Sequence, residues 1–81
     1  METKLRLKAW MDSQGIDDEQ LVARLREHHH HDCSHHTISA IKRGVRKPGL
    51  AIAVAIERET AGWDEGPILA SDWTDLAKGA A

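Results

Sequence analysis

Apolar residues recur at helical spacing in four stretches of this chain. Leu7, Trp10 and Met11 fall at i, i+3 and i+4, which predicts a helix capped by Thr3 and running to about Ser13. Gly15 ends it and Ile16 fills the turn. Leu21, Val22 and Leu25 mark a second helix. Asp17 and Gln20 have capping-box spacing at its start, and Asp17, Asp18 and Glu19 suit the positive end of its dipole. Ile38 and Ile41 mark a third helix, between the N-cap Ser34 and the stop Gly44. After Pro48 and Gly49, a fourth helix starts at about Leu50; Leu50, Ala53, Val54, Ile56 and Glu57 make it mostly apolar, Ile52 and Ala55 fill further positions, and Gly62 closes it. Ile68, Leu69 and Ala70 form a short apolar run that suits an extended segment or a short strand. Ser71 can cap a last turn over 72–78, and Gly79, Ala80 and Ala81 are expected to fray. The pattern predicts an all-α domain of four to five helices with a short extended C-terminal segment.

A chain of 81 residues makes one small domain, with a core over about residues 4–62 and a tail over 63–81. Such a domain buries only about 60% of its unfolded surface, so a partner copy would help it. Phe and Tyr are absent, and Trp10, Trp63 and Trp73 are the aromatic anchors of an aliphatic core. Within the tail, Trp63, Ile68, Leu69 and Trp73 suit two uses equally: a dimer interface, or packing over the fourth helix. A single cysteine, Cys33, excludes an internal disulfide framework and fits a reducing cytoplasm. Glu2, Lys4, Arg6 and Lys8 leave no apolar signal segment, and no apolar run approaches the length of a membrane span.

Charge is divided along the chain. The formal net charge is −2, yet residues 34–47 hold Lys42, Arg43, Arg46 and Lys47 with no carboxylate. Residues 57–81 hold six acids against Arg58 and Lys78. A local basic patch matters more to a phosphate backbone than the total does. A short capped helix with two buried isoleucines, small polar outward side chains and a basic exit has what entry into a groove about 12 Å wide requires.

The order of signals resembles the helix-turn-helix of the lambda repressor and Cro (Xre-type) family. The likeness rests on residues 15–25, on residues 33–44 with their Thr37-Ile38-Ser39-Ala40-Ile41-Lys42-Arg43-Gly44 core, and on Arg46-Lys47-Pro48. Residues 50–62 and 70–73 are similar to the fourth helix and tail of small Cro-like phage and prophage regulators. The resemblance implies a compact four- to five-helix domain whose third helix lies in the major groove. It also implies homodimers on palindromic half-sites about 34–36 Å apart. Under it, His35, His36, Ser39 and Ala40 face bases, and Ser34, Thr37, Lys42, Arg43, Arg46 and Lys47 face the DNA backbone. Two features depart from the pattern: the turn is enlarged by Arg26 to Asp32, and Val22 stands where the family prefers a small residue.

The enlargement is a histidine run, His28 to His31, close to Cys33, His35 and His36. Its first reading is a solvated extension of the second helix by one or two turns. A second reading is a zinc site: His28 and His31 stand i, i+3 on such an extension, and Cys33 or His35 could add a ligand. A third places the histidines beside DNA, where protonation strengthens binding. Cys33 suits a buried structural thiol.

These features point to a cytoplasmic, sequence-specific DNA-binding regulator, a homodimeric repressor that occludes a promoter. No cofactor is required by this reading. The alternative is an antitoxin-like or inhibitory interaction module with the same fold, its acidic C-terminal half meeting a basic partner. No nucleophile–base arrangement suggests an enzyme.

Overall fold

The computed structural model describes residues 2–73, and within them the protein is all-helical with no strand. Four α-helices follow one another: α1 (Thr3–Gln14), α2 (Asp18–His29), α3 (His35–Arg43) and α4 (Leu50–Glu59). A single 3-10 turn, Ala70–Trp73, ends the described chain. The expected last turn beyond Trp73 and the frayed end lie outside the described residues.

Local chemistry explains where the helices begin and end. Asp17 Oδ1 accepts the Gln20 N–H (2.8 Å) and Gln20 Oε1 accepts the Asp17 N–H (2.8 Å), so the capping box is complete. Gly15 and Gly44 both turn left-handed, at φ 66° and 77°. At Gly44 the Gly44 N–H donates to the Ile41 carbonyl (3.0 Å) and the Val45 N–H to that of Ala40 (3.1 Å). This closes α3 with a Schellman motif. The start of α1 differs from expectation. Glu2 is its N-cap, without a side-chain bond, and Thr3 lies inside the helix. Thr3 is buried and donates to the Asp72 carbonyl at 2.8 Å, a partner 69 positions away.

One core joins all the elements. Leu7, Trp10 and Met11 of α1, Leu21, Val22 and Leu25 of α2, Ile38 and Ile41 of α3, and Ile52, Ala53, Ala55 and Ile56 of α4 are buried together. Helix α3 packs on α1 and α2, and α2 also packs on α4. Leu50 does not join them; it is 77% exposed. At 3.6 residues per turn it points about 200° from Ile52, away from the stripe Ile52–Ile56–Thr60 that α4 buries. Helix α4 also ends earlier than Gly62, at a cap on Thr60.

The C-terminal segment is part of this core. Ile68 and Trp73 are fully or almost fully buried, whereas Leu69 between them stays exposed, and the apolar run does not pair as a strand. Thr60 fixes the return. Its hydroxyl donates to the Ile56 carbonyl (2.8 Å) and accepts the Ile68 N–H (2.8 Å), both inside the protein. Further on, Glu57 Oε1 accepts the Ala70 N–H (2.8 Å), and Arg6 binds the Asp72 carboxylate (3.2 Å) and the Glu65 carbonyl (3.0 Å). Arg6 also lies over the Trp63 ring, 5.8 Å from its centroid.

Thr60→Val keeps the volume and removes both bonds, leaving the buried Ile68 N–H without a partner. We expect a loss of about 1–3 kcal/mol in urea unfolding. Thr60→Ser should recover most of it.

Candidate nucleic-acid interface

The two faces of α3 have opposite character. Ile38 and Ile41 are fully buried beneath it, while His35, His36 and Arg43 are exposed. Thr37, Ser39 and Ala40 are half-buried at the margins. Ser34 caps the helix, its Oγ accepting the Thr37 N–H at 3.3 Å. The His35 and His36 rings sit against each other, centroids 4.1 Å apart, so the first turn presents one imidazole pair. Beyond Gly44, Val45, Arg46 and Lys47 are exposed, and Pro48 is buried and turns the chain into α4.

The cations near this face fall into two groups. Among the described residues Arg43, Arg46 and Lys47 have no carboxylate partner, and Arg43 Nε bonds only the Ser39 carbonyl (3.4 Å). Lys42 differs, because its ammonium is ion-paired with Asp18 at the start of α2. Glu19 comes within 3.9 Å of His35. The acidic start of α2 thus stands beside the outward face of α3, and the local charge is lower than the count over 34–47 indicates. A further cation comes from α1. Lys4 lies across Gly44, where an added Cβ would meet its Cδ and Nζ at 2.8 Å, and it pairs with Glu2 (3.4 Å). No local pattern flags Lys4, since only packing of α1 on α3 brings it there.

The enlarged turn is part helix and part loop. Helix α2 runs one turn past Leu25 to His29 and then stops at His30, which is left-handed at φ 53°. The break removes the i, i+3 relation of His28 and His31. Residues 30–34 make the connection, with Arg26 Nε bonded to Asp32 (2.8 Å). Cys33 packs partly against the core, beside a surface hollow lined by Val22, Ala23, Arg26 and His35.

Consequently the residues of the zinc reading do not come together. His31, Cys33 and His35 stay apart from His28. The group of donors that does converge among the described residues is His28, His29 and Glu59. Glu59 Oε2 accepts from His28 Nδ1 (2.8 Å) and His29 Nε2 (2.9 Å). Burial pushes the Glu59 carboxyl up, but the two imidazole bonds outweigh it and hold it below the usual range. Glu59 could not be singled out from the sequence, being 31 and 30 positions from His28 and His29.

Of the four residues expected at a dimer interface, Ile68 and Trp73 are used inside the chain. Leu69 is 41% exposed, and Trp63 is half-buried, packed against the core. No helix among the described residues is long and apolar enough to cross a membrane.

Burial, reinforced by the Asp32 charge and opposed by Arg26, raises the pKa of the Cys33 thiol. Cys33 should therefore react with a disulfide reagent at neutral pH several-fold slower in the folded protein than in urea. Equal rates would contradict its placement against the core. No protein-family model, curated protein sequence or solved structure matches this chain, and the interface stands on its own geometry.

Proposed function

We propose that this protein is a sequence-specific DNA-binding regulator of the lambda repressor and Cro helix-turn-helix type, acting as a homodimeric repressor. The carrying observation is the division of α3: two isoleucines fully buried below, and at its outer face and exit an imidazole pair with three cations that have no carboxylate partner among the described residues. Order of caps and stops along residues 15–48 supports the same reading through its resemblance to that family.

In this mechanism Arg43, Arg46 and Lys47 bind phosphates and set the register of α3 in the major groove. His35, His36, Ser39 and Ala40 then meet base edges. An imidazole donates one bond to guanine N7 or O6 where arginine gives two, and the Ala40 methyl suits the thymine methyl. Two copies on adjacent turns of a palindrome would block polymerase. With Ile68 and Trp73 inside the chain, Leu69 and the exposed part of Trp63 are what the described part of the tail offers a partner copy.

The acidic edge of α2 favours a second reading. Asp18 and Glu19 beside α3 repel phosphate, which suits a protein-interaction module that takes a partner on this face. The two readings separate on the role of the cations.

Selection of bound duplexes from a random library should recover a palindrome. No enrichment at low salt would rule out DNA reading and leave the interaction module. On the selected duplex, replacing Arg46 and Lys47 by Ala should weaken binding across sequences and lower the salt slope by about one for each. Asp18→Asn should act in the opposite direction. It frees Lys42, steepens the salt slope by about one and tightens binding, at a stability cost of about 1 kcal/mol or less.

A further inference from the structure

Helix α2 ends in an unusual way. Two other helices of this chain stop at glycine, but α2 stops at His30 in the left-handed region. A non-glycine residue held there costs on the order of 1 kcal/mol and persists where its surroundings impose it. The stop leaves His28 and His29 as the last two helical residues, directly beside the end of α4.

Adjacent helical residues normally point about 100° apart and cannot share a target. Here both rings reach one oxygen because they use different atoms. His28 reaches Glu59 Oε2 with the near nitrogen, Nδ1, and His29 with the far one, Nε2. The three donor atoms lie within 4.8 Å of one another. Glu59 is held in place: its side chain is 10% exposed, and Arg24 stands 4.0 Å from its other oxygen. His28 is half-exposed and leaves the cluster open to water on one side.

We propose that His28, His29 and Glu59 bind a zinc-type divalent ion, with water completing its coordination. Two imidazoles and one carboxylate are a zinc donor set that leaves a position open. Zn–N and Zn–O bonds of about 2.0–2.1 Å in tetrahedral geometry put ligand atoms about 3.3 Å apart. The two N···O separations of 2.8 and 2.9 Å therefore open by about half an ångström on binding, a movement within reach of the half-exposed His28 ring. Each ligating nitrogen presents its lone pair to the ion and carries its proton on the other ring nitrogen. Arg24 works against a dication, so affinity is lower than at a closed four-ligand site. The ion cross-links the ends of α2 and α4 and stiffens the connection that leads into α3. The site does not depend on what α3 binds.

The experiment titrates the whole chain with Zn2+ alone, followed by calorimetry and thermal unfolding, and with Co2+ as a visible-absorption probe. One ion per chain, a raised unfolding temperature and cobalt d–d bands are expected. Glu59→Gln, His28→Gln and His29→Gln should each weaken binding about tenfold or more. The half-exposed His28 variant keeps the test valid if Glu59→Gln does not fold. A His30→Gln, His31→Gln double variant should bind as the parent does. Absence of binding overturns the proposal. So does binding that survives Glu59→Gln and His29→Gln but is lost with His30 and His31, because the run would then bind metal only as loose surface histidines.

Discussion

Burial of Ile38 and Ile41 is the constraint on which the rest depends. A helix of nine residues does not hold together alone in water. α3 exists because both isoleucines are completely enclosed by α1 and α2, and because Ser34 and Gly44 satisfy its ends. The same enclosure decides which side chains face out. Fixing Ile38 and Ile41 inward turns His35, His36 and Arg43 outward, so the core and the proposed interface are two sides of one packing choice. Substitution inside α3 therefore tests packing and recognition together, whereas Arg46 and Lys47, past its end, report on charge alone.

The C-terminal segment adds to the same core by packing on α4. Thr60 turns it back, Ile68 and Trp73 fill the core, and Thr3 and Arg6 tie its end to α1. A small domain has little apolar surface to spare, and this one enlists its tail as core. That use removes Ile68 and Trp73 from any partner's reach. Glu59 is a second fastening, between α4 and the last turn of α2, and it sets where the histidine-rich connection begins.

Much of this was legible in the sequence wherever the determinant was local. The Asp17–Gln20 box, the Ser34 cap, the glycine stops at 15 and 44 and the stripes of α1, α2 and α3 all act within one or two turns. What could not be read depends on distant pairing. Thr3 has a suitable cap side chain but spends it on Asp72, and Lys42 counts as a free cation until Asp18 packs beside it. The i, i+3 pairing of His28 and His31 presumed a continuous helix, and the left-handed His30 ends it. Leu50 counts as apolar in a helical pattern, yet the stripe chosen by Ile52 and Ile56 leaves it outside.

In the proposed function the outer face of α3 and its basic exit meet DNA. The most direct measurement is an NMR titration of the 15N-labelled chain with a short duplex at low salt, following backbone amides and the histidine rings. Shifts should concentrate on residues 34–47, with the His35 and His36 rings among the largest, and should fade as salt rises. Shifts confined to α4 or the C-terminal segment, or no shifts at all, would contradict it.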